Sequence, residues 1–362
     1  MVIMNENDIM KLAYEGLNTP IVSTAPKMVP GRVLHADADI FSYKACNLEE
    51  TYAENVSNLK ELITAWRVLA GAEFIVLHLT MGRKGGREQI AQVKKYQGNR
   101  SKTNEDKSQR VLDLRMWMAE FSNINVRSDP QYEQEADDSM CQAMYRSIQF
   151  GQDDVLFSPD KDLWMVPGKH LNKDTFEIEE FPLGYGETGT VLDSNGKKKV
   201  VGKGTSWFWH QLLMGDSADN IPGLPFLSKS LVLEYCPNKA MADIQKRVAT
   251  GRMPNGKVLT AAQKRAAQTK YERMFQEQDA KKIGGVLATR YLQTCKTDKS
   301  AYQYVLNAYK SWYRPKAIFF NWEHVRMECT PYEMMLEQAR LLWMRRTVNE
   351  DVEEWFEELR HG

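Results

Sequence analysis

Three short apolar runs, Val33 to His35, Phe74 to Leu79 (FIVLHL) and Val155 to Phe157, stand between stretches whose apolar residues recur at helical spacing. They predict buried strands alternating with helices, which builds a parallel sheet covered on both faces. Ahead of them, residues 5 to 17 read as a short amphipathic helix, and Pro20, Pro26 and Pro30 make a connector that cannot continue it. Between Leu163 and Gly204 the pattern becomes alternating and Gly-rich (FEIEEF, then VLDSNGKKKVV), and Asn195-Gly196 signals a type I′ turn. A β-hairpin is expected there, over about residues 176–203, at the sheet edge or a domain boundary. From Thr205 onward the pattern is almost wholly helical. The expected architecture is α/β, with a mainly parallel central sheet flanked by helices over residues 1–204. A helical domain over 205–346 and an acidic C-terminal tail over 347–362 are expected to follow.

Length agrees with two domains, because 362 residues exceed the roughly 250 at which single cores stop growing. A hydrophobic fraction of 43% excludes a disordered chain. No apolar run nears the roughly 18 residues that cross a bilayer, and the first residues carry Glu6 and Asp8 where a signal peptide carries Lys or Arg. A cytoplasmic protein without a membrane partner is expected. Five widely spaced cysteines without a C-x-x-C pair suggest neither a disulfide frame nor a zinc site.

Charge changes the picture only when resolved along the chain. Lys plus Arg and Asp plus Glu number 48 each, a balance that by itself argues against nucleic acid. Yet residues 83–115 carry ten basic groups against four acids, and 246–273 carry eight against Glu272 alone. Either stretch reads equally as a solvated helix face or as a phosphate-facing surface.

The acids are gathered too. Asp37 follows the first strand, and Asp160 and Asp162 follow the strand ending at Phe157. Ligands bind beyond the carboxyl ends of strands in open α/β sheets. Glu135, Asp137 and Asp138 open a helix, where carboxylates are favoured by the free N–H groups. Asp216 and Asp219 lie in MGDSADNIPG, after the helix beginning near Ser206. Singly, each group is an ordinary cap or turn. Were they to converge, two carboxylates about 5 Å apart at an effective dielectric of about 20 would repel by roughly 3 kcal/mol, a strain that cations relieve. All-oxygen ligands select Mg²⁺, Mn²⁺ or Ca²⁺, and Mg²⁺ points to phosphate chemistry.

With these residues in this order the chain resembles the flap endonuclease or 5′ nuclease family, phage-type 5′ to 3′ exonucleases most of all. The motifs are Asp37, the element Tyr96, Asn99 and Arg100, then Glu135 to Asp138, Asp160 to Leu163, and Gly215 to Gly223. The aromatic Thr205 to His210 segment and Gln338 to Trp343 add to the likeness. The resemblance implies a PIN-like fold in which Asp37, Glu135, Asp137, Asp138, Asp160, Asp162, Asp216 and Asp219 hold two Mg²⁺ or Mn²⁺ ions. It implies a helical arch at about residues 83–110, with Arg87, Lys95 and Arg100 on the reacting phosphate. It also implies a helix-three-turn-helix over about 206–236, and DNA contacts by Lys94, Tyr96, Lys102, Gly223 and Lys229. Tyr96 either stacks on an unpaired base or anchors its own loop.

This sequence departs from the family pattern at three points. Thr80 and Met81 follow the second strand where an Asp is usual, with Asp39 as the candidate substitute. Gln97 takes the place of an arch lysine, leaving Lys94 or Lys95. Phe226-Leu227-Ser228 replaces a Gly-x-Gly. The expected activity is hydrolysis of DNA from 5′ ends, flaps or nicks, in phage-type replication or recombination. RNA in RNA–DNA hybrids is a further substrate to be expected, and replication proteins are further partners to be expected. The rival expectation is a catalytically impaired DNA-binding protein on the same scaffold.

Overall fold

The computed structural model describes residues 26–100, 104–193, 196–224, 247, 250–253, 255–267, 283–313, 316–323 and 325–362. The helix expected over 5–17, Lys102, Asn195, Lys229 and the helix-three-turn-helix beyond Leu224 lie outside these residues, as do Lys246, Lys270 and Arg273 of the second basic stretch.

The central sheet has six strands in the order β3-β2-β1-β4-β5-β6. β1 (Val29–Asp37), β2 (Ala72–Thr80), β3 (Val126–Gln131), β4 (Val155–Phe157) and β5 (Gly168–Leu171) run parallel, and β6 (Ile178–Phe181) closes the edge antiparallel to β5. The three apolar runs of the sequence lie in β1, β2 and β4. β3 carried no such signal: its sequence is VRSDPQ and, as an edge strand, it pairs with β2 alone. An edge tolerates Pro130 and leaves polar side chains in water.

Alternation along β1 sends Leu34 and Ala36 to one face, and His35 to the other. The first face is covered by α1 (Ala38–Ala45), α2 (Tyr52–Leu69) and, after the short α3 (Arg87–Ile90), by α4 (Glu105–Glu120). α2 starts at a capping box between Thr51 and Glu54, and its Trp66 stacks on Phe157 at 3.8 Å. On the opposite face lies α5 (Ala136–Gln149). There His35 Nδ1 meets His78 Nε2 at 3.0 Å, and His78 Nδ1 meets Ser139 Oγ at 2.9 Å, so the buried polar groups pair with each other.

β7 (Glu187–Leu192) and β8 (Lys198–Lys203) form a hairpin as a separate two-stranded sheet, narrower than the 176–203 expected because Ile178–Phe181 joins the central sheet as β6. Then α6 (Ser206–Met214) begins, with every residue from Ser206 to Leu213 buried. Around it pack α7 (Gly285–Leu292), α8 (Asp298–Tyr313), α9 (Pro331–Leu342) and α10 (Val352–His361), in one hydrophobic core with Met140 and Met144 of α5. Phe208 meets Trp343 edge-on at 5.0 Å, which is why the two aromatic segments of the sequence belong together. The almost wholly helical part after Thr205 also holds one antiparallel pair, β9 (Ala317–Phe320) with β10 (Arg326–Cys329). The expected acidic tail is corrected as well: Val352, Trp355 and Phe356 of α10 are buried, while its acids line the outer face. Among the described residues no helix is long and apolar enough to cross a membrane.

Candidate active site

The strand order reverses at β1: the chain builds outward through β2 and β3, then returns to the other side of β1 with β4. This switch point opens a crevice at the carboxyl ends of the strands. A cleft of about 1140 Å³ lies there, lined by Asp37, Asp39, Glu135, Asp137, Asp160 and Asp219. The separate acidic motifs of the sequence therefore do converge. Each arrives for a local reason. Asp37 ends β1 and holds the N-cap position of α1, Glu135 holds that of α5, neither with a side-chain cap bond, and Asp160 caps the 3-10 turn Lys161–Met165 by accepting the Asp162 N–H at 2.9 Å.

Burial, joined by Asp39 and Asp160, pushes the Asp37 carboxyl up to about 7, against a hydrogen bond from Ser158 Oγ. Burial likewise raises Glu135 to about 7, despite Arg87 beside it. Asp137 is raised well above the usual carboxylate range, first by burial and then by Asp37 and Asp160. Asp160 is raised by burial too. Asp216 goes the other way: burial opposes its ionisation, but Lys161 outweighs burial and holds it low.

Five expected metal ligands, Glu135, Asp138, Asp162, Asp216 and Asp219, already have cationic partners. Asp138 is fully buried, and its oxygens accept from Arg87 at 2.8 and 3.0 Å and from the Arg345 N–H. Successive helical residues point about 100° apart, so Asp137 turns to the cleft while Asp138 turns into the core. Asp138 is thereby corrected from ligand to buried ion-pair partner. Asp162 and Asp216 share the Lys161 ammonium. Asp219 accepts from Tyr96, Gln97 and Arg100 at 3.0, 2.9 and 2.9 Å.

The basic residues are redistributed. Arg87, expected on a phosphate, is 1% exposed, and its guanidinium is taken up by Asp138, Glu135 and the carbonyls of Leu341 and Trp343. No donor is left for DNA, so Arg87 is a structural clasp between α3, α5 and the end of α9. Lys95 is outside the cleft lining, its ammonium 5.5 Å from the Trp322 ring, and Lys94 is outside it as well. Arg100 does line the cleft. Tyr96 is buried and bonded to Glu135 and Asp219, which places it as the anchor of its own loop rather than a stacking platform. Gly223 has φ +69°, and a Cβ there would fall 2.2 Å from the Gly215 nitrogen. Its glycine is explained by the closed Gly215–Gly223 loop, not by phosphate.

Several residues were missed. Lys84 lines the cleft beside Gln97, to which its ammonium donates. Arg115, Lys173, Lys198 and Lys199 complete the rim. Only the surplus of basic residues over 83–115 hinted at Lys84 and Arg115. Asp39, the candidate substitute for the missing Asp, lines the cleft: because β1 stops at Asp37 and a helix starts, it turns to the end of β2, accepts the Thr80 N–H at 3.3 Å and pairs with Arg115 at 3.2 Å.

The donor set fits a hard divalent cation in chemistry. Asp37, Asp137 and Asp160 offer oxygen donors that repel one another, and among the described residues no Lys or Arg forms an ion pair with them. Among the described residues no three His, Cys, Asp or Glu side chains already stand closely enough to hold an ion, so binding one requires these carboxylates to draw together.

Fold and cleft together define a doubly wound α/β protein with an acid-lined, base-rimmed crevice at the switch point of its sheet. No family model matches the chain, and no curated protein does. Among solved structures it is similar to a T5 5′-exonuclease with bound zinc, at 15% identity over 77% of this chain and 93% of that one, TM-score 0.39. It is also similar to the bacteriophage T5 D15 flap endonuclease in a pseudo-enzyme–product complex with DNA and metal ions, at 12% identity over 86% and 99%, TM-score 0.37. A third is the Holliday junction-resolving enzyme GEN1 with product DNA and Mg²⁺, at 11% identity over 97% and 96%, TM-score 0.25.

Proposed function

We propose that the chain is a divalent-metal-dependent nuclease that hydrolyses DNA from 5′ ends or flaps, in phage-type replication or recombination. One observation carries this reading: mutually repelling carboxylates at the sheet's switch point, ringed by Lys84, Arg100, Arg115, Lys173, Lys198 and Lys199. An acidic floor with a basic rim suits a phosphodiester, whose charge the rim holds while the floor holds a cation. The 5′ polarity and the preference for DNA rest on the motif order.

Asp37, Asp137 and Asp160 would hold the metal. A divalent ion there would make water a better nucleophile and would offset the charge growing on the phosphate. The chain's own groups do the rest. Arg100, with a side chain 60% exposed, can leave Asp219 and grip a phosphate in bidentate fashion. Lys84 offers a point charge beside the carboxylates, and Lys198 and Lys199 reach flanking phosphates from the β8 hairpin. Tyr96 keeps the Gln97–Arg100 turn fixed to the floor by its bonds to Glu135 and Asp219.

Flap, nicked, blunt and RNA–DNA hybrid substrates, labelled at either end and incubated with Mg²⁺ or chelator, test the reading. Products released from the 5′ end only with Mg²⁺ are expected. Cleavage that ignores chelator, or that starts at the 3′ end, contradicts it. A second reading, a DNA-binding protein without catalysis, is favoured by the ion pairs that already occupy Asp138, Asp162, Asp216 and Asp219. Under that reading the same substrates are bound but left intact.

A further inference from the structure

The acidic floor is not uniform. In one half, Asp37 accepts from Ser158 Oγ, Asp160 accepts from the Asp162 backbone, and among the described residues none of Asp37, Asp137 and Asp160 has an ion-pair partner. The other half, Asp162, Asp216 and Asp219, is already supplied with positive charge and protons. Lys161 Nζ stands 3.0 Å from Asp162 Oδ1 and also bonds Asp216 Oδ2. Gln211 Nε2 donates to Asp162 at 2.6 Å, and the Ala218 N–H donates to Asp216 Oδ1 at 2.7 Å. Asp219 has Gln97 and Arg100 on one oxygen and Tyr96 on the other.

Lys161 is held there by more than its own flexibility. It is the first residue of the 3-10 turn capped by Asp160, so its backbone is fixed between the two carboxylates Asp160 and Asp162. Asp216 is 1% exposed and Asp162 is 5% exposed. A buried carboxylate stripped of its cation is strongly destabilising, so the ammonium is not readily displaced. A divalent ion entering between Asp162 and Asp216 would have to expel Lys161 and pay its dehydration as well.

We propose that Lys161 serves as a fixed monovalent cation in the Asp162–Asp216–Asp219 half of the cleft, so that the chain takes one divalent ion, on the Asp37–Asp137–Asp160 half, rather than two. The inference rests on the metal-dependent reading above and refines it. Lys161 then supplies permanent charge where a second ion would otherwise be needed, and metal dependence follows a single-site curve.

The test is the number of Mn²⁺ ions bound by the full chain, measured by equilibrium dialysis and by titration calorimetry, for the unaltered protein and for Lys161→Met and Lys161→Arg. One ion is expected for the unaltered protein and for Lys161→Arg, and two for Lys161→Met, which uncovers the second pair of carboxylates. A thermal melt of Lys161→Met should show a loss of stability that saturating Mn²⁺ restores. Two ions of similar affinity on the unaltered protein overturn the inference while leaving the metal-dependent reading intact. One ion on Lys161→Met, with its stability insensitive to Mn²⁺, overturns the inference in the same way. No ion on the unaltered protein overturns both.

Discussion

Replacing Asp37 with asparagine is expected to stabilise the metal-free protein while removing its activity. Asp37 is raised from the ordinary 3.8 to about 7, chiefly by burial and then by Asp39 and Asp160. A carboxyl raised in the folded state destabilises that state once pH exceeds its unfolded value, progressively up to the folded value and fully above it. The penalty is therefore absent near pH 3.8, grows through the intervening range and is complete above about pH 7. Three units correspond to about 4 kcal/mol, and partial solvent screening reduces the effect to roughly 2 kcal/mol. Asparagine keeps an oxygen that accepts from Ser158 and removes the charge. For a chain of this length that is a rise in Tm of roughly 3 °C. Calorimetric melts of both proteins in chelator at pH 8 and pH 5 measure it. The rise should be largest at pH 8, shrink at pH 5, and be reversed by Mg²⁺, which stabilises only the unaltered protein. A fall in Tm for Asp37→Asn at pH 8 in chelator would refute the picture of uncompensated carboxylates.

Other perturbations separate structure from chemistry. Arg87→Met leaves Asp138 buried and unpaired and should cost about 3–5 kcal/mol in denaturant unfolding; unchanged stability with weakened DNA binding would return Arg87 to the phosphate. Lys198→Gln with Lys199→Gln should lower the slope of log affinity against log salt by about 1.8 on duplex DNA, at about 0.9 per phosphate contact, and an unaltered slope would remove the hairpin from the interface. Gly223→Ala forces a Cβ onto the Gly215 backbone, so melts should show a loss exceeding the roughly 1 kcal/mol of an ordinary glycine change, and a neutral result would free this glycine for another role.

The legible parts of the molecule were those encoded locally. Val155 to Phe157 reads as a buried strand because its apolar run is continuous, and Glu135 to Asp138 as a helix start because carboxylates suit free N–H groups. The topology then carried Asp37 and Asp160 to one crevice, since both follow neighbouring strands. What escaped depends on long-range partners or on position in the sheet. The Arg87–Asp138 pair spans 51 residues and is completed by carbonyls of Leu341 and Trp343, so nothing near Arg87 distinguishes it from a surface arginine. Asp137 and Asp138 look alike in sequence and differ only by a helical turn angle. β3 was missed because an edge strand need not be apolar, and α10 because its buried stripe, Val352, Trp355 and Phe356, is outnumbered by acids facing water.

Single-turnover cleavage of a 5′-labelled flap, by the unaltered protein and by Asp137→Asn in saturating Mg²⁺, tests the central claim most directly. The account predicts Mg²⁺-dependent cleavage by the unaltered protein. For Asp137→Asn it predicts a rate at least about 100-fold lower, or about 2.7 kcal/mol of barrier, with flap affinity within a few-fold. Near-equal rates for the two proteins would contradict it.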